Sequence, residues 1–168
     1  GAYNPTGKLP MSFPYSVGQL PMSYNHYSCG RPKPAEGRGD YTSRYLDAPN
    51  EPLYPFGYGL SYTSFEIGKV SLSADKLSAV DKLIASVDVK NTGKTFGTQL
   101  IQLYIRDVAA SKVRPVKELK GFKRVELAPG EIKRVSFEIS EEMLRFFRAD
   151  GSFASEPGSF KVWIVDSS

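Results

Sequence analysis

The chain is poor in the residues that most catalytic and metal chemistry relies on: it has one cysteine, Cys29, and one histidine, His26, in 168 residues. A single thiol closes no internal disulfide, and a single imidazole builds no two-histidine metal site, so neither a metal nor a cofactor is expected. Cysteine usage leaves the compartment open. Long uncharged apolar runs are missing as well, which excludes a membrane-spanning helix. The chain opens on Gly-Ala-Tyr-Asn, with no charged and then apolar leader and no initiator methionine. That start predicts a fragment or a processed product without a targeting peptide. No Asn-x-Ser/Thr sequon free of proline occurs, and no long stretch has the 3.6-residue period of an amphipathic helix.

What remains is the make-up of a folded globular protein, 40% hydrophobic and 24% charged, long enough for one domain with a sizeable extension. The net charge of +4 arises after residue 67. Lys112, Arg114, Lys117, Lys120, Lys123 and Arg124 supply much of it, interleaved with Glu118, Glu126 and Glu131. Alternating signs of this kind give solvated strand faces rather than a continuous positive field, so nucleic acid is not an expected partner.

The chain has two halves of different grammar. Residues 1–62 hold nine of the 12 prolines and nine of the 10 tyrosines. Proline removes backbone donors and blocks long ladders, so this part reads as an extended arm of short segments and turns. Residues 9–13 and 19–24 share Leu-Pro-Met-Ser and read as two edge strands about Gly18. So many tyrosines with so little periodicity predict an arm that packs on something else and has few contacts of its own. From about Lys69 the period becomes two. Leu83, Ala85, Val87 and Val89 alternate with Ile84, Ser86, Asp88 and Lys90. Ile101, Leu103 and Ile105 alternate with Gln102, Tyr104 and Arg106. Residues 118–127 form a further strand with a bulge at Gly121, and Val135, Phe137 and Ile139 share a face, as do Phe160, Val162 and Ile164. Asn91-Thr92-Gly93, Pro129-Gly130 and Asp150-Gly151 are turn signals. Ser140 is positioned to cap a single helical turn over Glu141 and Glu142. About seven short strands predict an all-β, antiparallel sandwich of immunoglobulin or fibronectin type III kind, with Val87, Val89, Leu103, Ile105, Phe137, Val162 and Ile164 in its core.

Catalytic constellations are thin. His26 has no nucleophile elbow with it, and Cys29 beside Arg31 has no second redox partner, so both read as bystanders. Gly57-Tyr58-Gly59 lacks the third glycine and the helix of a phosphate loop. Arg38-Gly39-Asp40 is a chance triplet. Glu36, Asp40, Asp47 and Glu51 share one loop-rich stretch, but a pair of carboxylates hydrolyses a glycoside only when a scaffold fixes their separation.

Residues 51–65 read EPLYPFGYGLSYTSF, which closely resembles the junction before the fibronectin type III-like domain of glycoside hydrolase family 3 β-glucosidases. YNPTGKLPMSFPYSVGQLPMSYNHYSCGRP at 3–32 resembles the closing strands of that family's α/β-sandwich domain. YTSRYLD at 41–47, VDVKNTG at 87–93 and RPVKELKGFKRVELAPGE at 114–131 follow in the family's order, so the resemblance covers essentially the whole chain. It is nearest to the bacterial periplasmic enzymes. The resemblance implies residues 1–62 as arm and linker ending the preceding domain, and residues 63–168 as the fibronectin type III-like domain. A further short strand after GSFKVWIVDSS is implied too, and with the chain stopping at Ser168 the sandwich is expected to lack it.

In that family the nucleophilic Asp lies in an N-terminal barrel and the acid/base Glu lies earlier in the second domain, so no catalytic residue carries over to any position here. The implied function is that of an accessory, structural domain of a retaining β-glucosidase that releases terminal β-linked glucose. Its partners would be the N-terminal catalytic domains, the β-glucoside or oligosaccharide substrate through the parent, and a second copy in a homodimer; its location would be periplasmic or secreted. Tyr54, Phe56, Tyr58 and Tyr62 are the expected interdomain packing residues. The rival reading is a carbohydrate-binding or adhesive module in which Tyr54, Phe56 and Tyr58 stack on sugar rings.

Overall fold

The structure is a computed structural model that describes residues 3–32 and 41–168. Nine strands carry the fold: β1 (Phe65–Ile67), β2 (Ser71–Leu72), β3 (Lys82–Asn91), β4 (Gly97–Asp107), β5 (Glu118–Leu127), β6 (Ile132–Ser140), β7 (Phe146–Phe147), β8 (Phe153–Ala154) and β9 (Phe160–Val165). In the first sheet β3 pairs with β6 on one side, while β1 and β2 lie one after the other along its opposite edge. The second sheet runs β5-β4-β9, so β5 and β9 are its edges. Every pairing between these strands is antiparallel.

The core lies between the two sheets and is made of the side chains that the period of two selects. Leu83, Ala85, Val87 and Val89 face Ile101, Leu103 and Ile105, with Val125, Leu127, Val135, Phe137, Ile139 and Ile164 filling the layer. Six of the seven expected core residues are buried; Val162 is half-buried because β9 is an edge and a cleft opens beside it. Removing such side chains from water is worth about 1.5–3 kcal/mol each. Along the opposite side the sheets are tied by lysines: Lys123 of β5 donates to the Ser136 carbonyl of β6 at 2.6 Å, and Lys133 of β6 donates to the Glu126 carbonyl of β5 at 2.6 Å.

The turns follow their residues. Glu131 N–H closes on the Ala128 carbonyl at 3.0 Å, with Gly130 at φ 76°, the conformation glycine adopts without strain. Asp150-Gly151 turns the β7–β8 hairpin. A bulge falls where the β4–β5 register shifts between Leu103 and Tyr104, leaving Lys120 unpaired next to Gly121. Gly121 answers a close approach, since a Cβ there would lie 3.3 Å from the Phe137 ring. Glu141–Leu144 is a 3-10 turn with Ser140 in the N-cap position, but the Ser140 side chain makes no capping bond. Arg145 and Ser155 hold Glu141 instead.

The two expected edge strands of the arm do not form as regular strands. Gly18 sits in a 3-10 turn, Val17–Gln19, and residues 19–24 make no ladder. Residues 9–13 do pair, antiparallel to 54–58: Leu9 N–H donates to the Tyr58 carbonyl at 2.8 Å, Gly57 N–H to Leu9 at 2.8 Å, and Phe13 N–H to Tyr54 at 2.8 Å. The ladder is interrupted at Phe56, whose N–H donates to Ser12 Oγ at 3.2 Å and whose carbonyl accepts from Ser168 N–H.

Candidate functional site

The arm lies on the outer face of the β5-β4-β9 sheet, where the only tyrosine after residue 62, Tyr104, points. Tyr24 stacks on Phe56 at 4.4 Å between ring centroids and meets Tyr104 edge-on at 5.9 Å. Burial, and then Tyr24, push the Tyr104 hydroxyl's pKa upward. Lys117 lies with its ammonium 5.2 Å from the centroids of both Tyr104 and Trp163. Burial lowers its pKa. Backbone bonds fasten this face: Val116 N–H donates to the His26 carbonyl at 2.9 Å, and Ser168 N–H to Phe56 at 2.9 Å. At the near end, Asn4 Oδ1 accepts from Ser61 Oγ and Tyr62 N–H, both at 3.0 Å, while Asn4 Nδ2 donates to the Phe96 carbonyl at 3.1 Å. Gly57 turns under this contact at φ 85°, where a Cβ would come within 2.7 Å of Gln102 Nε2.

The four residues expected to pack between domains share this junction without sharing one environment. Phe56 is half-buried under Tyr24. Tyr54 and Tyr58 form a tilted pair at 4.9 Å and 38°, with Tyr54 40% exposed. Tyr62 is held by its backbone, and the residue is 62% exposed. A flat row of rings open to a sugar is not what this geometry presents, because Phe56 uses a face on Tyr24 and the tyrosines tilt against each other. Sequence reasoning singled out this run but missed its partners, Tyr24, Tyr104, Lys117 and Trp163. Lys117 passed as one charge in a basic stretch, and Trp163 drew no reading at all.

The acids fall elsewhere. Glu36 and Asp40, and with them Arg38-Gly39-Asp40, lie outside the described residues; Asp47 and Glu51 are exposed. His26 is exposed with Nδ1 3.0 Å from the Tyr27 carbonyl oxygen, and Cys29 is an exposed free thiol. Among the described residues no three His, Cys, Asp or Glu side chains gather as a metal site would require, and no helix is long and apolar enough to cross a membrane. At the far end of β4, burial raises the Asp107 carboxyl's pKa, and Arg114 pairs with Glu118 at 2.8 Å while lying 4.6 Å over the Phe146 ring.

Two family profiles match this chain: the glycosyl hydrolase family 3 C-terminal domain over residues 1–62, and the fibronectin type III-like domain over residues 99–168. Among characterised proteins the chain is similar to a periplasmic beta-glucosidase of Salmonella typhimurium, 54% identical over 168 residues, covering 99% of the chain and 22% of the relative. A beta-xylosidase of Formosa agariphila is 44% identical, with 100% of the chain and 22% of the relative covered. Among solved structures, the β-glucosidase of Listeria innocua in complex with isofagomine superposes with a TM-score of 0.92 at 47% identity, covering 99% of this chain and 23% of that one. The chain therefore spans less than a quarter of the length of these relatives.

Proposed function

We propose, from the premise that the chain belongs to glycoside hydrolase family 3 and corresponds to the C-terminal part of its β-glucosidases, that it is the structural accessory part of a retaining β-glucosidase. The parent removes terminal β-linked glucose in the periplasm or outside the cell, through a catalytic carboxylate pair supplied by its other domains. The observation that carries this reading is where apolar surface is left uncovered. Fourteen of the 24 exposed large apolar side chains lie in the arm, which is about a third of the described residues. Val17 is 82% and Leu46 90% exposed. An arm tied on one face to the sandwich and apolar on the other is an adaptor between this sandwich and the catalytic domains.

In this reading residues 1–62 complete the preceding domain, and residues 63–168 form the fibronectin type III-like domain, whose edge strand β9 takes one more strand. Tyr54, Tyr58 and Tyr62 meet the neighbouring domain, with Phe56 behind them, and a second copy of the parent is a further partner. The 168-residue chain alone is expected to hydrolyse no aryl β-glucoside. In the full-length parent, Tyr54→Ala with Tyr58→Ala lowers the thermal midpoint by several degrees and leaves KM unchanged. Turnover by the isolated chain, abolished by substituting Asp47 or Glu51, overturns the accessory reading.

A further inference from the structure

A cleft of about 520 Å³ opens between the arm and the outer face of the second sheet. Its size is that of small-molecule sites, which favour such junctions between structural units. Tyr24, Met22, Pro52 and Pro55 give it an apolar wall, and Lys117 and Glu51 both line it. The Lys117 ammonium lies 5.2 Å from two ring centroids. Those rings favour the cation but accept no conventional hydrogen bond, and among the described residues no oxygen accepts from it. Half-buried ammonium groups are normally paired, and burial already lowers this one's pKa. Glu51 is likewise without a hydrogen-bond or ion-pair partner among the described residues, and the two opposite charges do not meet each other across the cleft.

We propose that this cleft binds a small neutral saccharide, whose hydroxyls bridge the Lys117 ammonium and the Glu51 carboxylate while its C–H face rests on the wall at Tyr24. A ligand of one sign drawn to either group meets its own sign at the other. A hydroxyl accepts from Lys117 and donates to Glu51, which satisfies both at once. Neighbouring pyranose hydroxyls supply this pairing repeatedly, and the ring's axial hydrogens suit an aromatic and proline surface. The ligand class follows from the cleft; only the choice of a β-linked glucose disaccharide as probe rests on the β-glucosidase reading.

The test is a heteronuclear NMR titration of the 168-residue chain with cellobiose, and in parallel with xylobiose. Saturable shifts at the Tyr24, Val116 and Lys117 amides are expected, with a dissociation constant on the order of 1 mM. Lys117→Met, which keeps the apolar stem against the rings, weakens binding about tenfold, the loss of one charged hydrogen bond. Glu51→Gln, at an exposed position that leaves the fold intact, weakens it several-fold. No saturable shift with either sugar, or unchanged affinity in both variants, overturns the proposal and leaves the accessory role, tested by hydrolysis, where it stood. Binding of xylobiose alone supports the cleft and counts against the glucoside reading of the parent.

Discussion

Asn91 is fully buried and uses every hydrogen-bonding group its amide has. Oδ1 accepts from Thr63 Oγ1 at 2.7 Å and Gly93 N–H at 3.0 Å; Nδ2 donates to the Thr95 carbonyl at 2.8 Å and the Leu127 carbonyl at 3.0 Å. One side chain thus joins the entry to β1, the end of β3, the loop into β4 and the end of β5. Asn91→Ala is expected to cost about 2–4 kcal/mol in urea unfolding, since it leaves several buried polar groups unpaired, and Thr63→Val about 1 kcal/mol. The sequence shows Asn91-Thr92-Gly93 as a turn and nothing more. A short amide beside a loop looks the same whether it bends the chain or bridges four segments, because the partners are set by tertiary structure. Glu141 is a second case. Hydrogen bonds from Arg145 at 2.7 Å and from Ser155 at 2.6 Å hold its pKa down to about 2, from 4.5. Between those values the unfolded chain binds more protons than the folded one, so stability is lost as pH falls from about 4.5 toward 2. Glu141→Gln is expected to flatten that part of a plot of thermal midpoint against pH.

Among the elements, β4 shows how far a period of two can be trusted. The inward set, Ile101, Leu103 and Ile105, is buried as the alternation predicts, yet Gln102 and Tyr104 on the other face are buried too. Tyr104 is covered by Tyr24 and Gln102 by the Gly57 turn, both far upstream in the chain, and a local pattern carries no record of it. The opposing strand β6 behaves as expected. Phe137, 5% exposed, lies between the core, the bulge at Gly121 and the Lys123 ammonium 5.4 Å above its ring. Phe137→Ala is expected to cost about 3–5 kcal/mol in chemical denaturation, combining lost burial with a cavity that a tightly packed sandwich fills poorly. A cost below 1 kcal/mol would mean that the two sheets move together to fill the space.

For the molecule as a whole, the change in composition near residue 65 falls where the first strand begins, and the alternation after it gives the sandwich. Residues 51–65 carry the family resemblance, and in that stretch Phe56 stacks on Tyr24 and Tyr54 tilts against Tyr58. The tyrosines predict an arm packed on something else, but how it lies was not legible, because the prolines suggest few contacts of its own. In fact they remove alternate donors and leave the others free, and the N–H groups of Leu9, Phe13 and Gly57 all find carbonyls. Hydrogen exchange on the chain should accordingly find the Leu9, Gly57 and Val116 amides protected, against the expectation of an arm with few contacts. Tyr24→Ala, by emptying the space between Phe56 and Tyr104, should raise the Val116 exchange rate by tenfold or more while the β3 amides keep their protection. Equal acceleration everywhere would show arm and sandwich unfolding as one unit.

The two edges of the second sheet differ in kind. Along β5, lysines from both sheets reach across and occupy carbonyls, and charge of that sort repels an approaching strand. β9 has no such cross-sheet tie; it carries the exposed Lys161, and the half-buried Phe160 and Val162 stand beside an open cleft. Within the second sheet β9 is therefore the more open edge. A second copy joined β9 to β9 would leave only the lysine-tied β5 edges at the margins of that one shared sheet, whereas in the proposed parent the same edge is the one that takes a further strand of its own.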